Sequence, residues 1–315
     1  MSSPSGPANQ PPSVLETSSA ELLRRLELSI TRRLDGILQG DYRGLVPGHG
    51  SDLGETRQYQ AGDDVRRMDW NVTARLQLPH VRETIADREL ETWAMIDLSA
   101  SLGFGTATCE KRDLAVASVA AVGFLTSRTG NRMGAITLEG ERLSTIPART
   151  GRNHLLALLR RVASSAQNDH AGAADLSQGL QRLAATMKRR GLAVVISDFL
   201  DTGPWERSLR ALAARQETLA VEVVDPRELE LPDVGVVELE DPETGQRIEV
   251  QTASGAIRDK FAAAASSQRA DIARRIRAAG ADHLVLRTDR DWLLELVRFV
   301  AWRRERIDAL SRVRP

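Results

Sequence analysis

The stretch Thr92-Trp93-Ala94-Met95-Ile96-Asp97-Leu98-Ser99-Ala100-Ser101 decides how the chain is read. Its first half is a short apolar run that reads as a buried strand, and the run stops at a carboxylate. One carboxylate and two hydroxyls then follow at alternate positions, Asp97, Ser99 and Ser101. A tight loop can turn all three toward one place, and such hard oxygen donors suit Mg²⁺ or Mn²⁺. The plainer account of the same residues is helix capping and loop hydrogen bonding, which Asp and Ser provide routinely.

Outward from this stretch, strand and helix patterns alternate. Residues 111–128 read as a helix, and 132–138 and 143–148 as a hairpin around Glu139-Gly140-Glu141. Thr150 and Asp175 are placed to cap helices, the first running to about residue 162 and the second carrying Leu176, Leu180, Leu183 and Met187. Residues 192–196 form a continuous apolar run ending at Ser197-Asp198. Further strands are expected at 219–224 and 283–286, with helices near 205–215 and 257–279 and a last helix from 289 through 302. This predicts an α/β fold, an open and mostly parallel sheet with helices on both faces and its ligand crevice at the carboxyl ends of the strands. Asp198 is the second carboxylate expected at that edge.

Three segments follow from the patterning. Residues 1–20 are mostly small or polar and read as a disordered tail. Residues 21–90 begin with a helix, in which Leu22, Leu26, Ile30 and Leu34 recur at helical spacing after a capping pair Ser18 and Glu21. They continue into a Gly-punctuated, β-rich subdomain with strand pieces at 57–59 and 81–83, a turn at Gly62-Asp63-Asp64 and Trp70 as its buried anchor. Residues 91–315 form the main domain, with a hairpin inserted at about 234–252.

Composition narrows the function. Forty-three Lys plus Arg balance forty-three Asp plus Glu in 315 residues, so no global field steers the chain to nucleic acid or an anionic membrane. The single cysteine, Cys109, excludes a disulfide framework and a cysteine zinc cluster and fits a cytoplasmic setting. The longest weakly polar stretch, 114–126, falls short of the ~20 residues that span a bilayer. His49, His80, His154, His170 and His283 are scattered, without metal-ligand pairing. Gly103-Phe104-Gly105 lacks the remaining elements of a dinucleotide fingerprint. From Arg298 onward six Arg face only Glu305 and Asp308; they read as a solvated helix end, with docking to an acidic partner as the alternative.

The Asp97-x-Ser99-x-Ser101 pattern with Asp198 resembles the metal-ion-dependent adhesion site of von Willebrand factor A domains. Upstream, residues 57–70 with Ala74-Arg75 resemble the signature of the domain-of-unknown-function family 58, found in bacteria beside MoxR-type AAA+ ATPases. Arg57, Tyr59, Gly62, Asp63, Asp64, Arg66, Asp69, Trp70 and Arg75 carry that signature. The resemblance implies a von Willebrand factor A-like fold, Mg²⁺ or Mn²⁺ held by Asp97, Ser99, Ser101 and Asp198, and an adaptor that recruits clients for a MoxR-type ATPase. Relatives carry Gly-Thr-Asp-Leu before the later helix, whereas this chain has Ala173-Ala174-Asp175-Leu176. Ala174 therefore stands where a metal-binding Thr is expected, and the resemblance implies a weakly held or absent ion. The competing class is a Mg²⁺-dependent phosphotransferase with Asp97 as nucleophile. That chemistry needs a second acid two residues on, where this chain has Ser99.

Overall fold

The computed structural model describes residues 56–60, 65, 68–82, 91–127, 130–140, 142–166, 175–240 and 245–312. The tail, the first amphipathic helix, Gly62, Asp63, Asp64, Arg66 and Ala174 lie outside these residues. In the N-terminal part, strand β1 (Thr56–Gln58) pairs antiparallel with β2 (His80–Arg82), and helix α1 (Trp70–Leu76) lies between them in sequence. Asp69 is the N-cap of α1, its carboxylate accepting the backbone N–H groups of Asn71 and Val72.

This arrangement corrects the reading of Trp70 as a buried anchor: it is 70% exposed. The helix buries none of its residues, and the interior position belongs to Asp69, whose carboxylate must tuck under the first turn to satisfy its N–H groups. Arg57 lies on β1 opposite Val81, Tyr59 donates its backbone N–H to Pro79, and Arg75 sits exposed in the last turn of α1.

The main domain is built on β3 (Glu91–Asp97), β4 (Arg132–Glu139), β5 (Arg142–Arg149), β6 (Gly191–Ser197), β7 (Glu217–Val224) and β10 (Asp282–Arg287). These form one sheet in the order β5-β4-β3-β6-β7-β10, parallel throughout except for the antiparallel edge strand β5. This is the architecture that the sequence predicts, an open and mostly parallel sheet flanked by helices. A separate exposed pair, β8 (Val236–Glu240) and β9 (Arg247–Gln251), runs antiparallel.

Alternation along the strands divides the core into two layers. Ala94, Ile96, Leu192, Val194, Ile196, Val221 and Val223 face helices α2 (Lys111–Ser127), α3 (Arg152–Ala166) and α7 (Trp292–Arg312). Trp93, Met95, Ala193, Val195 and Ala220 face α4 (Leu176–Thr186), α5 (Trp205–Ala213) and α6 (Gly255–Ala278). The central strands are covered on both sides, which is why β3 and β6 read as unbroken apolar runs and not as alternating ones. Helix α7 begins three residues later than the sequence suggests, because Asp291 caps it by accepting the Leu294 N–H.

One arginine of the basic C-terminal stretch departs from the reading as a solvated helix end, while Arg298 and Arg306 are exposed as that reading expects. Arg303 is buried on α7, donating to Asp282 of β10 and Glu217 of β7 at 2.8 Å each. The helix docks against the sheet edge, so one of its arginines must find carboxylates inside the protein.

Chain order places the topological switch point between β3 and β6. From β3 the chain builds outward through β4 and β5, then returns to the other side for β6, β7 and β10. Ile96 pairs with Ile196, so Asp97 and Ser197 end their strands level with each other.

At the opposite end of the same pair, Gly191 is required by close approach. A Cβ there would lie 2.0 Å from the Glu91 carbonyl oxygen, a backbone atom that cannot swing aside. Gly191→Ala is therefore expected to destabilise the protein by about 2–4 kcal/mol, read as a lower urea midpoint at unchanged slope. An unchanged midpoint would mean that the two strands can separate locally at no cost.

Candidate functional site

The carboxyl edge of the sheet gathers the polar residues predicted from sequence. Asp97, Ser99, Ser101 and Asp198 are all buried there, Asp97 with 4% exposure. Asp97 Oδ1 accepts the Ser99 N–H at 2.9 Å and Oδ2 accepts the Ser197 hydroxyl at 2.8 Å. The Ser99 and Ser101 hydroxyls are 3.1 Å apart, within one hydrogen bond. Burial, and after it the neighbouring Asp198 charge, push the Asp97 carboxyl up to about 6. The two strand-end acids are thus in one electrostatic site.

The cation in this site is one that sequence reasoning missed. Lys111, the first residue of α2, is 1% exposed, and its ammonium donates to Asp198 Oδ2 at 2.8 Å and to Glu228 Oε1 at 2.5 Å. Burial works to lower the Lys111 pKa, but Asp198 and Glu228 outweigh it and hold the ammonium above its ordinary value. Asp198 mirrors this: burial works to raise it, and the Lys111 charge keeps it below the usual carboxylate range.

A second cation closes the far side. Arg269 of α6 donates to the Asp198 carbonyl and to Glu222 at 3.0 Å, and to Glu228 at 2.8 Å. Glu222, buried on β7, also meets His283 of β10 at 2.7 Å. A continuous polar chain therefore runs from Lys111 through Glu228 and Arg269 to Glu222 and His283.

Beside it, Asp225 directly follows the last residue of β7. Its carboxylate accepts the Thr106 N–H and hydroxyl at 2.9 and 2.7 Å, the Arg227 N–H at 2.9 Å and the Thr288 hydroxyl at 2.7 Å. Burial works to raise this carboxyl, but the Thr106, Arg227 and Thr288 bonds hold it below its ordinary value.

Some of these residues had a legible signal. Glu222 interrupts an apolar strand, Asp225 follows that strand directly, and Lys111 puts a cation in the first turn of a helix, where the dipole disfavours it unless an anion is near. Arg269 had none, being one of several arginines on an exposed-looking helix.

The oxygens do not fit a divalent ion as arranged. Such an ion needs ionised oxygen ligands with lone pairs turned toward it. Here Asp198 Oδ2 is held by Lys111 and Oδ1 accepts the Leu200 N–H, both Asp97 oxygens accept internal bonds, and the Ser99 and Ser101 hydroxyls bond to each other. Among the described residues no three His, Cys, Asp or Glu side chains are grouped to hold a metal. Ser177, three residues beyond Ala174, is buried with its hydroxyl unpartnered, but it lies inside α4. Asp175 caps α4 by accepting the Gln178 N–H at 2.9 Å. Burial and then the Asp113 charge push the Cys109 thiol up to about 11, which disfavours its thiolate near neutral pH.

Residues 55–271 match the family described as Protein of unknown function DUF58. The chain is 56% identical to the uncharacterized protein Rv1480 of Mycobacterium tuberculosis over 299 residues, covering 93% of this chain and 94% of that one. It is 49% identical to the uncharacterized protein MAV169 of Mycobacterium avium over 162 residues, 51% of this chain and 95% of that one. Among solved structures, the conserved hypothetical protein BatB from Bacteroides thetaiotaomicron aligns with a TM-score of 0.43 at 13% identity, over 69% of this chain and 99% of that one. No described helix is long and apolar enough to cross a membrane.

The Asp225 cluster sets a stability test. Asp225→Asn removes the charge and one acceptor from four bonds, and is expected to cost about 2–3 kcal/mol near neutral pH in urea unfolding. Because the folded carboxyl is held below 3.8, its contribution is complete above that value and is lost as pH falls through the lower, folded one. The gap between parent and variant should therefore narrow as pH drops below about 4. A gap that stayed constant into acid would assign the loss to packing instead of charge.

Proposed function

The chain belongs to the DUF58 family, and from that membership we propose that it is a non-enzymatic protein-interaction module, an adaptor that presents clients to a MoxR-type AAA+ ATPase in the cytoplasm. The observation that supports it most is the state of Asp97. As a nucleophile it would need an exposed oxygen and an acid two residues away to protonate the leaving group. Instead it is buried with both oxygens bonded, and Ser99 stands at that second position.

A set of strand ends locked by ion pairs serves recognition, because it holds the surrounding loops in one shape for a partner. Phe104, exposed on the loop that leads from β3 into α2, and Val236 and Ile248, exposed on the β8–β9 arm, offer apolar contact surface. The ATPase partnership rests on the family resemblance, and the adaptor class rests on the closed strand-end site.

Two measurements test the proposal. Affinity capture from native lysate with Mg²⁺ and ATP should retrieve a MoxR-type ATPase with the tagged full chain. A phosphate monoester incubated with the protein and Mg²⁺ should show no turnover above buffer. Turnover that vanishes in Asp97→Asn would replace the adaptor reading with the phosphotransferase one, and absence of the ATPase from the captured proteins would remove the partner assignment.

A further inference from the structure

Two carboxylates brought together at the switch point of an open sheet create a demand for positive charge. Left alone, they raise each other's affinity for protons and disfavour the buried, ionised state. That demand is met by a mobile cation drawn from solvent or by a cation fixed in the chain. We propose that Lys111 fills the cation position of this site as a tethered ammonium, so that the Asp198 carboxylate is neutralised without a divalent ion. The inference rests on the adaptor reading only in treating the carboxyl edge as a recognition surface; it does not depend on the ATPase.

Three observations carry it. The ammonium lies between the end of β6, where it meets Asp198 at 2.8 Å, and the turn after β7, where it meets Glu228 at 2.5 Å. It is 1% exposed, so it is a component of the interior and not a surface charge that solvent could replace. Its position in the first turn of α2 is electrostatically costly on the helix alone, and becomes favourable only through those two carboxylates.

Glu228 is in turn committed to Arg269 and to the Asp225 N–H, which leaves it no free oxygen for an added ion. A divalent cation entering beside Asp97 would meet the Lys111 charge across Asp198, in an interior that screens it poorly. The chain has the Asp-x-Ser-x-Ser loop, yet its two hydroxyls bond to each other. The consequence for function is specific: an acidic side chain of a partner would find no metal to complete. Recognition at this edge would be insensitive to chelators, and it would pass through the exposed rim around Phe104.

The test uses the full chain and Mn²⁺ alone. In an electron paramagnetic resonance titration up to about 1 mM Mn²⁺, a range that covers weak protein sites, the free-ion signal should equal that of buffer. Bound Mn²⁺ that is lost in Asp97→Asn would overturn the inference. Lys111→Met removes the tethered charge and leaves the Asp198 carboxylate uncompensated. Its unfolding temperature is expected to rise with added Mg²⁺, whereas the parent and Lys111→Arg should not respond. A folded Lys111→Met that ignores Mg²⁺ would show that the ammonium does not stand in a cation's place. If that variant does not fold, the Mn²⁺ titration of the parent decides by itself. Mn²⁺ binding would sink the tethered-cation inference and leave partner capture untouched, and failed capture would sink the adaptor reading and leave the Mn²⁺ result untouched.

Discussion

The ammonium of Lys111 between Asp198 and Glu228 is the interaction on which the carboxyl edge of this fold depends. It joins three elements that the chain visits at widely separated points: the start of α2, the end of β6 and the turn after β7. Buried charges are tolerated when paired and hydrogen-bonded, and this one is held by two carboxylates. Arg269 extends the same logic across the next strand end, by holding Glu222, Glu228 and the Asp198 carbonyl together. The result is a row of ion pairs laid along the strand ends, beneath loops that must keep their shape.

Such a row has consequences for both packing and chemistry. Ion pairs in the interior are weak sources of net stability, because desolvation offsets most of the attraction, but breaking one leaves an uncompensated charge and is costly. They therefore specify one arrangement of the loops more than they stabilise the sheet. The stability of the domain lies in the two apolar layers, where strands such as β3 and β6 are covered on both faces. The labour is divided, with apolar layers carrying the fold and a charged edge tying the strand ends together.

The N-terminal part shows the same principle on a smaller scale. Asp69 and Trp70 are adjacent in a string that resembles a family signature, and an aromatic residue there invites a core assignment. The capping requirement of α1 decides otherwise, since a carboxylate that must reach two backbone N–H groups occupies the inside of the turn. Apolar character alone did not predict burial, because a seven-residue helix has too little surface to bury every apolar side chain it carries.

Local pattern determined the main elements of this protein. Apolar runs of strand length ending in Asp97 and Asp198, helical spacing from Lys111 onward and the capping Asp175 are properties of neighbouring residues, so they are legible in one dimension. The two-sided burial of β3 and β6 was legible for the same reason, since a continuous apolar run is what a strand covered on both faces requires. What only the tertiary structure decided is which charges meet. Lys111 and Asp198 are 87 residues apart, Lys111 and Glu228 are 117 apart, and Arg269 lies 47 beyond Glu222. Nothing in the local sequence of Arg269 separates it from the other arginines of α6. Pairing across such distances is set by strand order and helix docking, which no window of neighbouring residues contains. The Asp-x-Ser-x-Ser loop could therefore be recognised from sequence, whereas the cation beside it became visible only once the strands were laid side by side.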